Sequence, residues 1–271
     1  MSFQRVLEFA GLSDTGLVRA QNEDAIEICA EADFAVLADG MGGYNAGEIA
    51  SKMTVDIITQ QLLLKKTSTF SSLFARQTSV AAKWIKEAIE MSNFRVWDAA
   101  QNNPEFIGMG TTVVVAFCHH DRLLVAHVGD SRVYQYRSNR LLQITHDHSV
   151  LQAQIDAGLI SEEQAQYSPI KNLITRAIGV QGEIEVEISE HVIQEEDIYL
   201  MCSDGLTDML KHDEIETTVS LHRDNLALCC ELLLHKANEL GGRDNISIIL
   251  IKVNGLKQHS PMQHIQQLFF S

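Results

Sequence analysis

Four aspartates constrain this chain most, because each stands where an apolar run meets a polar or glycine-rich turn. Phe34-Ala35-Val36-Leu37-Ala38 ends at Asp39-Gly40, the run 123–129 ends at Asp130, and the run 198–203 ends at Asp204-Gly205. Asp244 has the opposite polarity, since Gly241-Gly242-Arg243-Asp244-Asn245 precedes the run 246–251. In antiparallel pairing the C-terminal end of one strand lies beside the N-terminal end of its neighbour, so the pattern predicts all four carboxylates at one sheet edge. Left unneutralised there, they would repel one another. Hard divalent cations such as Mg²⁺ or Mn²⁺ would remove that cost, because they prefer carboxylate, carbonyl and water oxygens.

The chain has 271 residues, enough for one large domain or two small ones, and its 45% hydrophobic content suits a sizeable core. Its apolar stretches fall far short of the roughly 20 residues that a membrane helix needs. The N-terminus lacks the basic start and apolar middle of a secretory signal, so the expectation is a cytoplasmic protein with no membrane partner. Five cysteines, Cys29, Cys118, Cys202, Cys229 and Cys230, have no paired metal-ligand spacing, and most sit inside apolar runs. A zinc site is not expected from them. The formal charge of -15 repels nucleic-acid phosphate and anionic lipid and would suit a basic substrate segment better. The scattered acids are otherwise a solubility device.

Apolar strands alternate with two helical blocks, with no long Pro, Gly or Ser linker between them. Ile49, Met53, Ile57 and Leu64 recur near the 3.6-residue period after Gly47, and Val80, Trp84, Ile85, Ala88 and Ile89 form a second stripe within 78–101. Strand-like runs at 111–118, 122–128, 131–137 and 140–144 are joined by turns short enough for antiparallel hairpins. The segment 146–179 carries short helical pieces and Pro169, and is expected to form a flap. A strand at 198–202, a helix around 225–240 and a final strand from 246 follow. Grouped helices and grouped strands argue for α+β, with helices packed on antiparallel sheets. One domain is expected over 1–253, followed by a polar tail at 254–271.

Arg19-Ala20-Gln21-Asn22-Glu23-Asp24 is a polar cluster ahead of Asp39-Gly40-Met41-Gly42-Gly43. Further along come Gly110-Thr111-Thr112, Val128-Gly129-Asp130-Ser131-Arg132, Thr145-His146-Asp147-His148-Ser149, Ile174-Thr175-Arg176-Ala177-Ile178-Gly179, Ser203-Asp204-Gly205-Leu206-Thr207-Asp208 and Gly242-Arg243-Asp244-Asn245. In this order the set resembles the type 2C metal-dependent serine/threonine protein phosphatases, closest to the compact bacterial members, over about 6–253. The resemblance implies two antiparallel β-sheets sandwiched between helix pairs, an α-β-β-α arrangement, with a binuclear Mn²⁺ or Mg²⁺ centre at one edge. It assigns Asp39 as the bridge between two ions, the Gly40 carbonyl to one of them, and Asp204 and Asp244 to the other. Glu23, Asp24 and Asn245 are expected around those ligands, the two acids holding metal-bound waters, and Arg19 is expected to clamp phosphate oxygens. In bacterial relatives a third ion is held by aspartates matching Asp130 and Asp204. Phosphoproteins, targets of a serine/threonine kinase, are the implied partners.

The chemistry suits these residue types on its own terms. Two cations lower the proton affinity of a water between them and offset phosphoryl charge. The planar fork of an arginine donates two parallel hydrogen bonds to phosphate. The chain departs from the family in its proton donor. Many eukaryotic members carry a histidine two residues after the bridging aspartate, where this chain has Met41, and many bacterial ones a histidine just after the second glycine, where it has Tyr44. The candidate general acids are therefore Tyr44, His146, His148 and a metal-bound water. Two other readings compete: a phosphate-sensing scaffold on the same fold, which loss of a metal aspartate would mark, and a hydrolase of small phosphate esters. All four aspartates are present, and no nucleotide-binding glycine motif is visible.

Overall fold

The computed structural model describes residues 3–43, 46–67, 78–165, 168 and 173–258. Its first strand, β1 (Phe3–Asp14), is followed by β2 (Asp24–Cys29), β3 (Phe34–Met41), α1 (Ala46–Thr67) and α2 (Thr78–Asn102). Then come β4 (Gly110–Thr111), β5 (Val113–His119), β6 (Arg122–Val128), β7 (Arg132–Arg137), β8 (Arg140–Gln143), α3 (Val150–Asp156) and α4 (Glu162–Ala165). The remaining elements are β9 (Glu187–Val192), β10 (Ile198–Cys202), α5 (Asp204–Thr207), α6 (His212–His222), α7 (Leu226–Glu239) and β11 (Ile246–Gln258). One sheet has the order β1-β11-β10-β7-β8 and the other β2-β3-β5-β6-β9, with β4 paired to β3; all pairs are antiparallel.

Successive strand side chains point to opposite faces, and here both faces are buried. Phe34, Val36 and Ala38 of β3, with Val113, Val115 and Phe117 of β5, pack against Ala50, Ile58 and Leu62 of α1 and Ile85 and Ile89 of α2. The alternate residues Ala35, Leu37, Val114 and Ala116 pack against Tyr199, Met201, Ile249 and Ile251 of the facing sheet. On the far side Leu200, Cys202, Ile248 and Leu250 lie against Ile215 and Val219 of α6 and Leu226, Cys229, Cys230 and Leu233 of α7. The layers therefore run helix pair, sheet, sheet, helix pair. The near-continuous apolar runs of β3, β5, β10 and β11 follow from burial on both sides.

Two boundaries differ from the sequence reading. β11 continues beyond Val253 to Gln258, which pairs with Phe3, so 254–258 belong to a strand; 259–271 lie outside the described residues. The expected flap begins as a buried strap, with Thr145, Asp147, His148 and Ser149 each at most 7–8% exposed. Among the described residues no helix is long and apolar enough to cross a membrane.

Candidate active site

The β2–β3 register places Asp24 opposite Asp39, at the end of the sheet where β3 turns toward α1. Antiparallel pairing brings the start of β11 to the end of β10, with Ile248 opposite Cys202, which puts Asp244 and Asp204 at one edge. Asp130 follows β6 on the same side. The electrostatics report the convergence: Asp39 is raised well above the usual carboxylate range by burial, then by the charges of Asp24, Asp204, Asp130 and Asp244. Burial, then Asp130, Asp208 and Asp244, raise Asp204 in the same way. Burial and then Asp147 push Asp130 up to about 6. The four predicted aspartates are therefore gathered, and Asp208, one helical turn after Asp204, joins them.

Asp24 is buried deepest. Ser203 Oγ donates to its Oδ2 at 2.8 Å, whereas Oδ1 is buried with no hydrogen-bond partner. Burial pushes this carboxyl up to about 6, against the hydrogen bonds of Ser247 and Ser203. A buried carboxylate oxygen left without a donor, among carboxyls that raise one another, is a donor set fitted to a hard cation. The oxygen donors suit Mn²⁺ or Mg²⁺, and among the described residues the charges that chiefly raise Asp39 and Asp204 are carboxylates, with no Cys or His among them.

The backbone around the carboxylates is tied down. The Asp39 N–H donates to Thr112 Oγ1 at 3.0 Å, and its carbonyl accepts from Thr112 N at 2.8 Å and from Thr111 Oγ1 at 2.7 Å. Gly40 has no room for a side chain: an added Cβ would meet the Gly47 carbonyl oxygen at 2.2 Å and that of Glu23 at 2.4 Å. Glu23 rests on Gly47 in the first turn of α1, accepts its N–H, and is raised by burial against the pull of Arg19. Asn245 accepts from the Glu23 N–H at 2.8 Å and donates to the Thr15 and Gln21 carbonyls at 2.9 Å, stitching the loop that carries Arg19 to the start of β11. Arg19, with its side chain 51% exposed, donates from Nη2 to Asp244 Oδ2 at 2.6 Å. Its guanidinium has five N–H donors, and this bond uses one.

A model of the protein phosphatase 2C family matches residues 18–233. The chain belongs to that family. It is 35% identical over 245 residues to the serine/threonine phosphatase stp of Listeria welshimeri, covering 89% of this chain and 94% of that one. The fold is similar to that of Stp1 from Staphylococcus aureus, with a TM-score of 0.84 at 32% identity over 94% of this chain and 98% of that one. It is also similar to the catalytic domain of the phosphatase PstP in complex with two manganese ions, with a TM-score of 0.80 at 32% identity over 93% and 100% of the two chains. This protein phosphatase 2C chain is an enzyme, a serine/threonine protein phosphatase whose substrates are phosphoproteins.

Of the proton-donor candidates of this protein phosphatase 2C chain, both histidines are engaged with other groups. His146 is half exposed and meets Asp156 at 3.1 Å. His148 is buried, between Gly129, Glu187, Arg176 and the ring of His127. Tyr44 lies outside the described residues. Sequence reasoning missed the hydroxyls that hold the site, Ser203, Ser247, Thr112 and Ser131, because a serine or threonine at a strand end carries no signal of its partner. It also passed over Asp208 as a site residue, although the four-residue spacing from Asp204 on a helix offered one.

Proposed function

We propose that this chain removes phosphate from phosphoserine and phosphothreonine in proteins by direct attack of water at a binuclear Mn²⁺ or Mg²⁺ site. The observation that carries the reading is the convergence of Asp39, Asp130, Asp204 and Asp244 on one edge beside the partnerless oxygen of Asp24. Asp39, the Gly40 carbonyl, Asp204 and Asp244 would hold two ions, and Asp130 with Asp204 would hold a third. When bound, the ions lower the proton affinity of the attacking water and offset charge on the phosphoryl oxygens. Glu23 and Asp24 orient water by hydrogen bonds, and Asn245 keeps Glu23 in place. Arg19 binds phosphate oxygens through its remaining donors. His146 pairs with Asp156 and His148 with Gly129, so neither histidine is assigned as the proton donor to the leaving oxygen. The site needs no side-chain nucleophile.

The expected phosphatase domain of 1–253 is extended to Gln258, because β1 pairs with β11 from Asp14↔Ile246 to Phe3↔Gln258. A serine/threonine kinase supplies the substrates, and five cysteines outside disulfides, four of them buried, suit a reducing cytoplasm.

The test is hydrolysis of a phosphothreonine peptide by metal-stripped protein titrated with Mn²⁺ or Mg²⁺. Activity is expected only with added ion, and Asp39→Asn is expected to abolish turnover while leaving the fold's circular dichroism unchanged. Full activity in chelator would overturn the reading. Arg19→Ala is expected to raise KM more than it lowers kcat, because a phosphate contact kept from ground state to transition state contributes uniform binding. Unchanged kinetics on both a phosphopeptide and a small ester would remove Arg19 from the site.

A further inference from the structure

The strap after β8 grips the backbone ahead of Asp130 at two points. The His148 N–H donates to the Gly129 carbonyl at 2.9 Å, and the Gly129 N–H donates to His148 Nδ1 at 3.2 Å. One residue thus takes up both main-chain polar groups of Gly129. Gly129 has φ +107°, and an added Cβ would meet Thr112 Cβ and Cγ2 at 2.7 Å. The turn depends on glycine's conformational freedom, which costs the most entropy to fix. Beyond Asp130, Ser131 Oγ lies 2.7 Å from the same Thr112 Oγ1 that accepts the Asp39 N–H. Asp130 therefore stands between two anchored neighbours, one of them held by His148.

The imidazole is itself held. Its Nε2 lies 3.3 Å from both Glu187 Oε2 and Arg176 Nη1, and it cannot donate to one while accepting from the other. The Gly129 N–H decides the matter, because Nδ1 must offer it a lone pair. Nε2 then carries the proton and donates to Glu187. His127 stacks on the ring, with centroids 4.6 Å apart and planes at 18°, and its Nε2 donates to the His146 carbonyl at 2.8 Å. Ligand atoms of His127, His148 and Glu187 lie within 4.8 Å of one another, a spacing that would admit a metal ion. The proton on His148 Nε2 and the charge of Arg176 beside it favour the hydrogen bond over the ion.

From this geometry we infer that His148 is a positioning residue: it clamps Gly129 and so fixes where the Asp130 carboxylate stands, with Glu187 bracing the imidazole at Nε2 in the tautomer that the Gly129 N–H requires. Its consequence for cation binding rests on the proposed role of Asp130, whereas the clamp is a property of the backbone.

The two are separated by measuring Gly129 amide hydrogen exchange and Mn²⁺ binding by calorimetry. The proteins are wild type, Asp130→Asn, His148→Ala, His148→Asn and Glu187→Ala. His148→Asn keeps an acceptor oxygen near the Nδ1 position. Exchange at Gly129 is expected to speed up about ten-fold in His148→Ala, the scale of one hydrogen bond, and to stay near wild type in His148→Asn. Mn²⁺ affinity at the site that Asp130→Asn removes should fall with the first variant and recover with the second. Glu187→Ala, which alters a side chain 44% exposed, should speed exchange without threatening the fold, and it carries the test should His148→Ala not fold. Unchanged Gly129 exchange in both alanine variants overturns the clamp. Gly129 exchange as fast in His148→Asn as in His148→Ala overturns it too, by showing that an acceptor beside the Gly129 N–H is not what protects it. Unchanged Mn²⁺ binding in Asp130→Asn overturns the cation role of Asp130 and leaves the clamp to be judged on exchange.

Discussion

Asp24, Asp39, Asp130 and Asp204 are displaced in one direction, and the direction has a thermodynamic consequence. Asp24 and Asp130 are pushed up to about 6, chiefly by burial, and burial raises Asp39 and Asp204 well above the usual carboxylate range. Aspartates of an unfolded chain titrate near 3.9. Between about pH 4 and 6 the metal-free fold holds more protons than the unfolded chain. The stability these groups contribute is complete below the unfolded value and is lost as pH rises through the folded values. A bound cation reverses their preference. Mn²⁺ is therefore expected to raise the Tm of chelator-treated protein by more at about pH 7.5 than at about pH 5, and a larger increment at the acid end would contradict the assignment. The residues legible in the sequence were those whose side-chain type states its chemistry: Asp39, Asp130, Asp204, Asp244, Glu23, Asp24 and Arg19. Ser203, which donates to Asp24 while accepting the Ser247 N–H at 2.9 Å, was illegible because its partners come from strands distant in sequence.

At the scale of elements, legibility followed the strength of the apolar period. β5, β6, β10 and α2 stand out because their buried faces are continuous. By contrast, α6 buries only Ile215, Thr218 and Val219, and β9 is a largely exposed edge strand, so neither announced itself. β1 is interrupted by a register shift between Arg5 and Leu7, which blurs its alternation. What the period cannot express is how closely two elements approach. β3 and the first turn of α1 meet at Gly40, where backbone oxygens of Gly47 and Glu23 fill the space a Cβ would need. Because backbone cannot rotate aside, Gly40→Ala is expected to cost about 1–3 kcal/mol or more in urea unfolding and to displace the carbonyl at the site, with loss of activity. Gly43→Ala is the control. An added Cβ there meets nothing within 4 Å, and near-normal activity and stability are expected. Equal losses in the two variants would show that the close approach at Gly40 is not what matters.

At the scale of the whole molecule the four layers serve to hold one edge, and the charge of the chain sets what approaches it. The facing inner surfaces of the two sheets are locked by Ala35, Leu37, Val114 and Ala116 against Tyr199, Met201, Ile249 and Ile251, so carboxylates from both sheets keep a fixed separation. That packing follows from alternation visible in the runs themselves, although which face met which helix pair did not. The surface adds a long-range term, since the formal net charge is -15 and bound cations neutralise it only at the site. Such a field attracts cationic segments and repels anionic ones, and its reach contracts from about 30 Å at 0.01 M salt to about 3 Å at 1 M. For a phosphothreonine peptide flanked by lysines and arginines, kcat/KM is expected to fall as ionic strength rises across that range, mainly through association. A peptide of the same length flanked by acidic residues should show the reverse slope. A small aryl phosphate, carrying only its own phosphate charge, should respond less than either peptide, which separates steering from damage to the metal site. Equal salt slopes for the basic and acidic peptides would mean that the acidic surface has no part in substrate choice.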